Sequence, residues 1–129
     1  MYSNLAGCES HKNMTNAEHK INASGKTLGR VASEAAKALM GKTSPEYTPH
    51  ILSHVRVTIE HALKMHISDK RKRGVRTRYS GYPGGLKRET LGTLIARRGI
   101  EEALRLAVRG MLPRNRLLTG RMKNLVVTE

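Results

Sequence analysis

Two hydrophobic periods divide this chain. Leu28, Val31, Ala32, Ala35 and Leu39 recur at i, i+3, i+4, i+7 and i+11, which predicts an amphipathic helix from about Thr27 to Met40. Gly41 follows as its stop, with Lys37 and Lys42 near the negative end of the helix dipole. A second helical stripe joins Ile100, Ala103, Leu104, Ala107, Val108 and Met111. Glu101 and Glu102 suit its positive end, and Arg105 and Arg109 its C-terminal half. Between the two helices, Val55, Val57 and Ile59 alternate with Arg56, Thr58 and Glu60, the pattern of a half-buried strand.

Weaker patterns fill the gaps. His19–Ala23 reads as a short first strand whose one strong apolar residue is Ile21. Pro45 and Pro49 make Thr43–Ser53 a loop. Leu63, Met65 and Ile67 alternate as a short strand, and Val75–Tyr79 reads as an extended, highly charged one. A helix over Lys87–Arg97 would turn Leu91, Leu94 and Ile95 inward and end at Gly99. A short helix from Pro113 to about Gly120 and a strand at Leu125–Val127 close the chain. Strands alternating with helices predict an α/β domain with a largely parallel sheet, over residues 19–129. Residues 1–18 are polar and read as a disordered tail.

Composition bounds what such a domain can be. The 129 residues suit one domain, without Trp or Phe, so its core draws on Leu, Val, Ile, Ala and Met. Against 24 Lys and Arg stand 10 acids, a net charge of +14. Self-repulsion on that scale favours a polyanionic partner, nucleic acid first and an anionic membrane surface second. Cys8 is the single cysteine, so no intramolecular disulfide forms, which suits a reducing compartment. No apolar run approaches the ~18 residues of a membrane-spanning helix, and the first residues lack the character of a secretory or transit signal. A soluble cytoplasmic protein is expected.

The charge is densest from Lys70 to Arg88, KRKRGVRTRYSGYPGGLKR, with eight basic residues and no acid. A run of this kind is either a solvated surface loop or a phosphate reader. Gly81, Gly84 and Gly85 tilt it towards the second, since glycine lets a backbone approach a ligand closely. Another basic group, Arg97, Arg98, Arg105, Arg109, Arg114, Arg116, Arg121 and Lys123, follows. Only Tyr79 and Tyr82 lie amid this charge, which argues against a multi-base stacking platform. Folded RNA held through phosphates and 2′-hydroxyls fits better.

Catalytic patterns fall short. Gly25-Lys26-Thr27 before a helix has the end of a P-loop, but the glycine that motif needs earlier is Lys20 here. Lys26 can still meet a phosphate at a helix N-terminus. Cys8 with His11, and His50 with His54, have ligand-like spacings, yet nothing pairs them into a tetrahedral set. No nucleophile–base spacing stands out among the few acids. No catalytic residue, cofactor, metal or small-molecule substrate is expected.

Four ordered blocks carry a resemblance: GKTLGRVASEAAKALMGK (25–42), EYTPH (46–50), SGYPGGLK (80–87) and AVRGMLPRNR (107–116). They resemble the bacterial form of the universal large-subunit ribosomal protein L-thirteen family. The resemblance implies a three-layer α/β/α fold around a four-stranded, mostly parallel sheet, without enzymatic activity. It also implies a structural role in folding and assembling large-subunit rRNA, beside neighbouring ribosomal proteins. One departure is the first strand, which in the family is Trp-led and here reads Glu18-His19-Lys20-Ile21-Asn22-Ala23. An off-ribosome RNA chaperone or regulator of the same fold is the alternative.

Charge, glycine content and resemblance together place these residues at the RNA: Lys26, Arg30, Lys42, His50, Lys70, Arg71, Lys72, Arg73, Arg76, Arg78, Tyr79, Gly81, Tyr82, Gly84, Gly85, Lys87, Arg88, Arg109, Arg114, Arg116 and Arg121.

Overall fold

A computed structural model describes residues 17–45 and 47–128. The expected polar tail therefore lies outside the described residues, except for its last two positions. Strand β1 (Glu18–Asn22), helix α1 (Leu28–Met40) and strand β2 (Arg56–Glu60) come first. Helix α2 (Asp69–Lys72) leads to strands β3 (Val75–Tyr79) and β4 (Leu86–Thr90). Helix α3 (Leu91–Met111), helix α4 (Leu117–Lys123) and strand β5 (Leu125–Val127) complete the chain.

Three strands form a parallel sheet in the order β1-β2-β5. Ile21 lies opposite Ile59, and Val57 opposite Leu125. The central strand carries the core: Val57 and Ile59 are completely buried. Burial of a side chain this size contributes roughly 1.5–3 kcal/mol. Helix α1 presents the predicted stripe to it, with Val31, Ala32 and Ala35 fully buried and Gly41 closing the helix. The alanines of that stripe leave room for α3, whose Ile100, Leu104 and Val108 join the same cluster.

The expected four-stranded sheet is corrected here to three parallel strands plus a separate antiparallel hairpin of β3 and β4. The missing strand is the one read at Leu63–Ile67. In its place Ala62–Lys64 makes a 3-10 turn, entered through His61 at φ 57°. Ala62 and Met65 are buried while Leu63 is 62% exposed. Ala62 and Met65 are three apart, the 3-10 repeat, and only Met65 with the half-buried Ile67 keeps the two-residue alternation of a strand. Among the described residues one isolated parallel bridge, Thr27 with His66, marks the segment.

A second correction concerns Lys87–Arg97. Its first residues are strand β4, and the helix begins at Leu91. Thr90 separates the two: its Oγ1 accepts a hydrogen bond from the Thr93 amide at 3.2 Å, a side-chain N-cap. Gly99 interrupts α3 as predicted, at φ 85° and ψ 167°. Beyond it, Met111 is exposed and touches Ser33 Oγ through its Sδ, while Leu112 takes the buried position expected of it. The last helix spans Leu117–Lys123, a few residues later than predicted.

Candidate nucleic-acid interface

The basic stretch from Lys70 to Arg88 is not one loop. Lys70, Arg71 and Lys72 lie in the short helix α2, and Arg73 closes it. Gly74 turns the chain into β3, and its carbonyl accepts a hydrogen bond from the Leu91 amide at 3.1 Å. The hairpin's foot is thereby tied to the start of α3. From there β3 and β4 run outward, and every residue of β3 is exposed.

Register sorts the hairpin's side chains. Directly paired residues of an antiparallel ladder share a face. Arg76 pairs with Glu89 and Arg78 with Lys87, which makes one face basic. Val75 pairs with Thr90, Thr77 with Arg88 and Tyr79 with Leu86, which makes the other face mostly apolar. Glu89 is held by Arg97 of α3, its Oε1 lying 2.7 Å from Nη2 and 3.1 Å from Nε. Glu89 is thus occupied within the protein. Among the described residues no ion pair engages Arg71, Arg73, Arg76, Arg78, Lys87 or Arg88. These cations are exposed and available to phosphate.

The tip is built by its glycines for two different reasons. Gly84 has φ +74°, and a Cβ there would meet nothing within 4 Å. A Cβ on Gly85 would overlap Ser80 Oγ and approach the Tyr82 carbonyl oxygen at 3.0 Å. The Gly85 amide donates to that same carbonyl at 2.9 Å, so the turn needs Gly85 for its own closure. Tyr82 stands 76% exposed at this tip.

Other predicted contacts fall into separate places. Leu28, at the start of α1, shares a cleft of about 290 Å³ with Arg71, Gly74, Val75 and Arg76. That brings the end of α1 carrying Lys26 and Arg30 to the hairpin's foot. Lys26 is partly engaged, its Nζ 2.8 Å from Glu34 Oε2, while Arg30 is exposed. Lys42 lies over the Tyr47 ring, 5.9 Å from its centre, and His50 is exposed in the loop that follows. Arg114 and Arg116 are exposed between α3 and α4. Arg109 lines an open cavity of about 430 Å³ between those helices. Arg105 and Lys123 share its wall and were not among the predicted contacts. Their only sequence signal was membership of the basic C-terminal third.

Arg121 corrects the prediction. It is 2% exposed, and its Nε has no hydrogen-bond partner among the described residues. A phosphate contact needs a guanidinium at the surface, and this one lies inside the fold. Its neighbours in sequence, Leu118 and Met122, pack against the core, and α4 draws Arg121 in with them.

Among the described residues no group of three or more His, Cys, Asp or Glu is placed to hold a metal ion. Cys8 and His11 lie outside the described residues. No helix among the described residues is long and apolar enough to cross a membrane.

Residues 16–129 match the family model described as Ribosomal protein L13. Large ribosomal subunit protein uL13 of Symbiobacterium thermophilum is 47% identical over 109 residues, covering 81% of this chain and 76% of that protein. Its counterpart of the same name in Vibrio campbellii is 45% identical over 108 residues, covering 83% and 75%. That of Corynebacterium diphtheriae is 41% identical over 118 residues, covering 88% and 78%. With a family match across most of its length and relatives at this identity, the chain belongs to the ribosomal protein L13 family, whose members are structural proteins and not enzymes.

Proposed function

We propose that this protein is a structural constituent of the large ribosomal subunit in the bacterial cytoplasm, where it binds folded rRNA beside neighbouring ribosomal proteins. The names of its relatives support the ribosomal part. The observation that supports the RNA part is the hairpin, whose Arg76, Arg78, Lys87 and Arg88 are exposed and make no ion pair among the described residues. Phosphates that replace water around these groups release counterions, and that release drives binding. Helix α2 and the start of α1 extend the basic surface at the hairpin's foot.

The subunit assignment is tested by sedimentation of a native cell extract. The protein is expected to travel with the large subunit, and a profile confined to the top of the gradient overturns it. The hairpin assignment is tested by changing Arg76, Arg78, Lys87 and Arg88 to Gln together. Filter binding to a large-subunit rRNA fragment should then lose roughly three to four units of its logarithmic salt slope, about 0.9 for each phosphate contact. Equal affinity for unrelated RNAs would instead favour a general RNA chaperone.

A further inference from the structure

The hairpin's apolar face is not explained by phosphate binding. Val75 is 62% exposed, Tyr79 64% and Leu86 49%, and the register places all three on the face opposite Arg76, Arg78 and Lys87. Large apolar side chains gathered on one exposed face signal a binding surface more strongly than scattered ones. The strip begins at the cleft of about 290 Å³ at the hairpin's foot, which Val75 also lines, and ends at the Tyr79–Leu86 pair.

The occupant is constrained by what sits in the middle. Thr77 and Arg88 pair between the two apolar ends, and Arg88 has no ion-pair partner among the described residues. An apolar protein surface laid over the strip would bury that charge uncompensated, at substantial cost. A nucleotide meets each part of the strip with a suitable group. Its base can lie on the Tyr79 ring against Leu86, and its phosphate can reach Arg88, two residues or about 7 Å along the strand. The opposite face of the same hairpin is basic, so one polyanion can engage both sides.

Resting on the proposed rRNA-binding function, we infer that the Tyr79–Leu86 face receives one unstacked base of the bound RNA, with Arg88 on its phosphate. The hairpin is then a two-sided blade: backbone contacts on the Arg76, Arg78 and Lys87 side, a single stacked base on the other. Extruded bases stacked on aromatic rings are a common means of recognising RNA that is not in a duplex.

The test uses the full chain and two seven-residue abasic ribose-phosphate probes, one carrying a single 2-aminopurine at its centre and one carrying no base. The probe with the base should bind about 5- to 150-fold more tightly, the range of one base–aromatic stack. Its fluorescence should be quenched on binding. Tyr79→Leu keeps the apolar bulk of an exposed residue and should bring the ratio near one, while Tyr79→Phe should preserve it. Arg88→Gln should weaken both probes alike and leave the ratio. Equal binding of both probes by the unchanged protein overturns the inference and assigns the face to a protein partner. So does a ratio that survives Tyr79→Leu. Failure of the rRNA reading looks different: neither probe, nor any large-subunit rRNA fragment, would bind with a salt-dependent affinity.

Discussion

At the scale of single residues, Arg121 shows how charge and burial compete. Buried without a partner for Nε among the described residues, its guanidinium lies where an apolar group of similar length would need no counter-charge. Replacing buried charge by well-packed apolar side chains is often neutral or stabilising. Arg121→Met is therefore expected to hold or raise the thermal midpoint. Arg121→Ala removes the packed stem as well and should cost roughly 2–4 kcal/mol, as cavity-forming truncations do. A large loss from Arg121→Met would show that the guanidinium is satisfied in solution. Gly84 poses a different question, because its backbone and not its surroundings excludes a side chain. Gly84→Asn tolerates the left-handed conformation, whereas Gly84→Val should cost about 1–2 kcal/mol locally and reshape the tip. Amide chemical shifts of Ser80–Leu86 would report the difference.

At the scale of elements, two features decide how the hairpin is carried. Gly99 sits at φ 85° and ψ 167°, a conformation almost confined to glycine, and a Cβ there would touch nothing within 4 Å. Gly99→Ala should nonetheless cost about 1–3 kcal/mol, all of it backbone strain, and denaturant melts would show it as a lower midpoint with an unchanged slope. The Glu89–Arg97 pair then fixes β4 against α3. Glu89→Gln should cost on the order of 1 kcal/mol, since Arg97 is exposed while Glu89 is partly covered, yet raise RNA affinity by removing the hairpin's acid and freeing Arg97. Much of this layout was legible. The stripes of α1 and α3 are long enough for their period to be unmistakable, and Gly99 announced its break. Leu63–Ile67 misled because alternation over so few residues cannot be told from a 3-10 turn until burial is known. Leu86–Thr90 misled because its partner strand, and not its own pattern, makes it extended; Thr90 held the signal for where the helix starts. The site was legible as charge, whereas the division of the hairpin into a basic and an apolar face required the register. Arg121 was legible only as another basic residue, since its burial depends on how α4 turns towards the core.

At the scale of the whole molecule, a net charge of +14 rests on a body whose core has no Trp or Phe. The described ion pairs lie within α2 and α3, link Lys26 to α1, or tie β4 to α3, and they leave Arg78 and Lys87 facing one another on the hairpin's basic side. In the free protein this repulsion opposes folding; in the complex, phosphate relieves it. Salt should therefore act with opposite signs on two measurements. Raising chloride from about 0.05 M to about 1 M shortens the screening length to about 3 Å, so the thermal midpoint of the isolated protein should rise. Over the first part of that range the affinity for rRNA should fall by several decades if about 6–10 phosphates are engaged. The quadruple Arg76, Arg78, Lys87 and Arg88 to Gln variant links the two effects. It should melt higher than the unchanged protein at low salt, lose that advantage at high salt, and bind RNA weakly throughout. A variant that melts lower at every salt concentration would mean these side chains stabilise the hairpin itself. Their unpaired charge would then be no sign of an RNA partner.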